Sequence, residues 1–165
     1  VVVAGALVLT ACGSSVKLDE AAPIEDRTGS SSSADSRQVG MVDAVSTDPL
    51  NDPKGELAQR SVYFDFDSYV VKNQYQSVVD AHSRYLNSHR NRKVIIQGNT
   101  DDRGGSEYNL ALGQKRAEAV RKAMSLMGVS DDQMEAVSFG KEKPRATGNN
   151  EAAWAENRRA DIVYQ

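Results

Sequence analysis

QGNTDDRGGSEYNLALGQKRAEAVRKAM, residues 97–124, joins the end of an apolar strand to a long amphipathic helix through a loop dense in charge and glycine. Just before it, Val94-Ile95-Ile96 in KVIIQG (93–98) predicts a strand buried on both faces, or on one face beneath a layer of helices. Beyond the loop, Leu110, Gly113, Ala117, Val120, Met124 and Met127 fall on one helical stripe, and Gly128 marks its end. Ser106 is placed to cap that helix with its hydroxyl, and Glu107 suits the positive end of the helix dipole. The fold is therefore decided by a strand, a tight polar turn and a helix, in that order.

Working outward, SVYFDF (61–66) is β-branched and aromatic and reads as a first strand. Val71, Tyr75, Val78, Val79, His82, Tyr85 and Leu86 recur at helical spacing on one face. MEAVSFG (134–140) is a third strand, KEKPRATGNN (141–150) a loop, EAAWAENR (151–158) a short helix or turn, and RRADIVYQ (158–165) a final strand. The order β-α-β-α-β-(α)-β predicts an α+β fold: a mixed four-stranded sheet with two main helices packed on one face.

At 165 residues the chain has room for one ordinary domain and extra segments. A formal net charge of −3 supplies no basic field, so nucleic acid is not expected as a partner. The single cysteine, Cys12, rules out an intrachain disulfide and a cysteine metal cluster. His82 and His89 stand two helical turns apart with no further ligand at metal spacing, and His82 reads as a core-facing or capping histidine.

Three readings compete for the loop. A calcium loop would place Asn99, Asp101 and Gly104 at positions one, three and six, but Arg103 then takes the fifth and Leu110 the closing twelfth, where oxygen ligands belong. A catalytic carboxylate pair would use Asp65 and Asp67 after the first strand with Asp101 and Asp102 after the second. Arg103, Lys115 and Arg116 nearby would keep those carboxylates ionised, against the protonated acid a hydrolase needs. The third reading is a zwitterion socket. Asp101 would take an ammonium, Arg116 would clasp a carboxylate with its guanidinium fork, and Asn109, two turns before Arg116, would orient the ligand. An Asp101–Arg116 salt bridge with no ligand between them accounts for the same spacing equally well.

The first twelve residues, VVVAGALVLTAC, carry no charge and are too short for the ~20 apolar residues of a membrane span. They have the length of a signal-peptide core, and the expectation is a signal segment (1–12) lacking its basic front. Leu9-Thr10-Ala11-Cys12-Gly13 resembles the bacterial lipobox, which implies cleavage before Cys12 and its acylation as an anchor in outer-membrane lipid. Residues 13–60, with TGSSSSADS and Pro23, Pro49 and Pro53, read as a flexible periplasmic linker, although Val39, Met41, Val42 and Val45 leave weak packing open.

VYFDFDS, the stretch quoted at the outset, VSFGKEKP and NRRADIVY together resemble the OmpA-like peptidoglycan-binding domain, over residues 61–165. The resemblance implies a non-enzymatic domain without cofactor that holds the diaminopimelate of peptidoglycan stem peptides. By family position the contacts would be Asp101 of the "TD" pair, Asn109 of "YN", Arg116 before an alanine, Asp67 closing the first strand motif and Arg158 of "NRR". Asp65 would support them. Lipid-anchored members also bind the periplasmic protein TolB on an overlapping surface. Many relatives read "EGH" where this chain has Gln97-Gly98-Asn99, so those flanking positions carry no expected role.

Overall fold

A computed structural model of the chain describes residues 48–165. Cys12 with its lipobox, and the expected linker up to residue 47, lie outside them. Strands β1 (Ser61–Tyr63), β2 (Val94–Asn99), β3 (Met134–Gly140) and β4 (Arg159–Tyr164) alternate in sequence with helices α1 (Gln76–Ser88), α2 (Ser106–Leu126) and α3 (Glu151–Asn157). In space the strands run β1-β4-β2-β3. β4 is antiparallel to both its neighbours, while β2 and β3 pair in parallel. The sheet is mixed, as expected.

Alternation along the strands settles which face is buried. Val62, Val94, Ile96, Ala160 and Ile162 join Val78, Val79 and Leu86 of α1 and Ala117, Val120 and Met124 of α2 in one apolar core. The alternate residues Ile95 and Gln97 are only half-buried and Val163 is exposed. Both main helices therefore cover one face, and the Val94-Ile95-Ile96 run is buried on that side only. Two ends of the expected α2 stripe differ: Leu110 is 53% and Met127 45% exposed, while Leu112 is buried.

The spacing between α2 and the sheet is set by glycines. A Cβ on Gly98 would overlap the carbonyl oxygen of Gly113, and one on Gly113 would strike Ser138 Oγ. Backbone thus rests on backbone at the end of β2, where the polar loop begins.

The linker boundary expected at residue 60 shifts. Asp48 caps a short 3₁₀ turn, Pro49–Asn51, its carboxylate accepting from the Leu50 amide at 3.0 Å. Leu57 is buried against Ala81 and Tyr85 of α1. The Arg60 guanidinium donates to the Leu50 carbonyl at 2.6 Å, and Arg92 pairs with Asp48 at 2.7 Å. Isolated leucines among prolines and acids have no period to read, which is why this stretch resembled linker. His82 is wholly buried beneath it: Nε2–H donates to the Gln59 carbonyl at 2.9 Å and Nδ1 accepts from Tyr164 Oη at 2.7 Å. Burial pushes its pKa down, so the ring is neutral. Among the described residues no helix is long and apolar enough to cross a membrane.

Candidate functional site

β2 ends at Asn99, and the Thr100 amide still donates to the Gly140 carbonyl at 2.8 Å, so the loop leaves the sheet late. Gly104, at φ 87°, makes a turn that L side chains disfavour. The cap position of α2 is Gly105 and no side chain caps it; Ser106 is the first helical residue, a correction to its expected capping role. What closes the loop instead is Asn109, whose side-chain amide donates back to the Arg103 carbonyl at 2.8 Å. That bond ties the loop to the first turn of the helix, whose N-terminus has no side-chain cap.

Arg116 lies on the same helix and is completely buried. Its guanidinium donates to three backbone carbonyls: Ser68 at 2.8 Å, Asn99 at 2.9 Å and Asp65 at 3.1 Å. Among the described residues no carboxylate oxygen comes within 4.0 Å of it. Burial pulls its pKa down to about 10, partly opposed by the charge of Asp101, and it remains cationic at neutral pH. A buried cation that donates to neutral carbonyls and lies over the Phe64 ring at 5.3 Å has, among the described residues, no carboxylate hydrogen-bonded to it.

Asp101 is equally sheltered but its partners are others. Oδ2 accepts from Arg103 Nη2 at 2.6 Å and from Arg158 Nη1 at 3.4 Å, and Oδ1 accepts only from the Arg103 amide at 3.3 Å. Burial pushes the Asp101 carboxyl up, while the Arg103 hydrogen bonds and charge, helped by Arg158, hold it below the ordinary carboxylate value. The direct Asp101–Arg116 salt bridge is not made.

Both side chains face a cavity of about 270 Å³, walled also by Asp67, Asn109, Thr100 and Arg103 and by the apolar Phe66 and Leu112. Its size fits one amino-acid terminus, being at the small end of ligand pockets. Asp67 stands at φ 53°, left-handed for a non-glycine, and its carboxylate accepts from the Tyr108 hydroxyl across the mouth. Thr100 Oγ1 is buried with no partner among the described residues.

Four of the six residues expected from the sequence thus line one cavity: Asp67, Asp101, Asn109 and Arg116. The other two do not. Asp65 turns its carboxylate outward to Lys72 and contributes only its carbonyl to Arg116. Arg158 donates to the Phe64 carbonyl, to Asp101 and to Glu151, tying the head of β4 to the loops. Sequence reasoning missed Thr100, Phe66, Tyr108, Leu112 and Arg103 as wall residues. Arg103 entered only as an argument against calcium and against a protonated catalytic acid, and among the described residues no group of three His, Cys, Asp or Glu side chains is placed to hold a metal.

The OmpA family model matches residues 63–158, more than half of the chain and the whole of the cavity. The chain belongs to the OmpA family. Within that family it stands with the peptidoglycan-associated lipoproteins. This OmpA-family chain is 48% identical to the Pasteurella multocida protein of that name over 111 residues, 66% of this chain and 74% of the relative. It is 47% identical to the Haemophilus influenzae one, over 66% and 72% of the two chains. The crystal structure of the peptidoglycan-associated lipoprotein from Burkholderia pseudomallei is 70% identical, with a TM-score of 0.71, covering 72% of this chain and all of that one. The C-terminal domain of Helicobacter pylori MotB shares the OmpA-family fold alone, at 19% identity and TM-score 0.60 over 65% of this chain and 84% of that one.

Proposed function

We propose that this chain binds peptidoglycan without cleaving it, holding the diaminopimelate end of a stem peptide between Asp101 and Arg116. The observation that carries the reading is the buried Arg116 guanidinium, free of any carboxylate among the described residues yet facing the same cavity as Asp101. The diaminopimelate terminus carries an ammonium and a carboxylate on one carbon; the first suits Asp101 Oδ1, the second the remaining N–H groups of Arg116. That the relatives are peptidoglycan-associated lipoproteins supports the cell wall as the partner.

With Cys12 acylated in the outer membrane and the residues before Asp48 as a periplasmic tether, such binding links outer membrane to wall and contributes to envelope integrity and division. Phe66, Tyr69, Val70 and Tyr108 are exposed on segments bordering the cavity, which supports TolB docking on an overlapping surface and competition between the two partners. A protein-interaction module for TolB alone would ignore sacculi, and a wall hydrolase would release soluble fragments from them with time.

The deciding experiment titrates the chain with a diaminopimelate-containing muropeptide beside its lysine counterpart. Lysine lacks the distal carboxylate, so Arg116 has nothing to clasp and affinity falls by about 100-fold or more. Equal binding of the two overturns the reading, as does steady release of soluble muropeptides from purified sacculi.

A further inference from the structure

Arg103 lies between two aromatic rings, its guanidinium carbon 4.2 Å from the centroid of Phe66 and 4.1 Å from that of Trp154. Trp154 is itself fixed, its indole N–H donating to Asp102 Oδ1 at 2.8 Å. The clamp is assembled from three places in the chain: the segment after β1, the loop before α2, and α3. A planar cation with a ring on each side gains attraction from both and loses the freedom to swing. From that position Arg103 reaches Asp101 Oδ2, the oxygen that Arg158 also meets, and Oδ1 is left with one 3.3 Å bond. Two cations load one oxygen.

We propose that Arg103 is a positioning residue of this site: held between Phe66 and Trp154, it occupies one oxygen of Asp101 and leaves the other ionised and open to an incoming ammonium. The ligand then shares the carboxylate and displaces no resident cation. This inference rests on the reading of the cavity as a zwitterion site. It distinguishes Arg103 from Arg116, which would touch the ligand, whereas Arg103 acts through Asp101.

The charged and titratable groups around Asp101 are Arg103 and Asp102 of its own loop, Arg158 at the head of β4 with Glu151 of α3 upon it, Arg116 and Tyr108 of α2, and Asp67 from the segment after β1. Replacing Arg103 with glutamine removes the strongest influence holding the Asp101 carboxyl down, and burial then raises it. The test measures affinity of the full chain for a diaminopimelate-containing muropeptide between pH 7.5 and 5.0. The unaltered chain binds evenly across this range. Arg103→Gln binds on the order of tenfold more weakly at pH 7.5 and weakens further on acidification. Arg103→Lys keeps the charge and flattens the acid side without restoring full affinity. A merely structural role would lower the melting temperature and leave the pH profile level.

Arg103→Gln matching the unaltered chain in affinity and profile, while Asp101→Asn has lost binding, overturns the proposal and leaves the cavity reading standing. If Asp101→Asn also binds normally, it is the cavity reading that fails. Should Arg103→Gln not fold, Trp154→Ala and Trp154→Phe decide: the first loses one ring and binds about threefold more weakly, the second keeps a ring and recovers. Equal affinity of that pair overturns the proposal.

Discussion

At the scale of single residues, Arg116 carries two duties that cannot be removed separately. It carries the cation of the cavity, and it also satisfies the carbonyls of Asp65, Ser68 and Asn99, which no other side chain reaches among the described hydrogen bonds. Arg116→Lys keeps a charge but cannot span three carbonyls with one ammonium, so it should lower both affinity and stability, the latter by about 2–4 kcal/mol. Asp101→Asn is the cleaner variant: nearly isosteric, it removes the negative charge and should abolish co-sedimentation with sacculi while circular dichroism stays native. Retained sedimentation would show that Asp101 takes no part. Asp101, Asn109 and Arg116 were legible in the sequence because they sit on one loop and one helix, where spacing is geometry. Arg103 was not, because its clamp needs Phe66 and Trp154, far away in the chain and brought together only by the sheet.

Among elements, α2 meets the sheet at close range where Gly113 lies against Gly98 of β2 and against Ser138 and Gly140 of β3. Gly113→Ala would drive a methyl group into Ser138 Oγ and should cost about 1–3 kcal/mol, read as a lower midpoint in urea at an unchanged slope. Gly98→Ala meets backbone, which cannot swing aside, and should be the worse of the two. Helical period placed Ala117, Val120 and Met124 correctly in the core. It misplaced Leu110, which overlies the groove beside β3 at the edge of the sheet, where no further strand among the described residues covers it. Composition marked SVYFDF as a strand, and Val62 and Phe64 are buried, but regular pairing stops at Tyr63 and the rest of the motif turns toward the cavity. Period reads a face; it does not read where an element ends.

Across the whole molecule, residues 48–60 belong to the folded unit. A chain beginning at residue 61 loses Leu57 from its place against α1 and the Gln59 acceptor of His82, and should be less stable than one beginning at 48 by about 3 kcal/mol. His82 also sets a pH dependence. Its folded pKa lies below the ordinary 6.5, so the unfolded chain takes up a proton that the native one resists. Stability is therefore full above that pH and declines as pH falls from about 6.5 toward the lower native value. His82→Gln should flatten the melting temperature between pH 7.5 and 5.5, and an unchanged slope would assign the effect elsewhere. The same segment determines how the domain meets a mechanical load. Tension arriving along the chain from its amino-terminal side reaches the Asp48–Arg92 pair and the wedge of Leu57 before it reaches β1, whose three residues pair, among the described residues, with β4 alone. Those contacts are therefore the first to bear the load. A pull along the chain from that side thus meets this segment ahead of the strand whose following loop supplies two of the three carbonyls around Arg116.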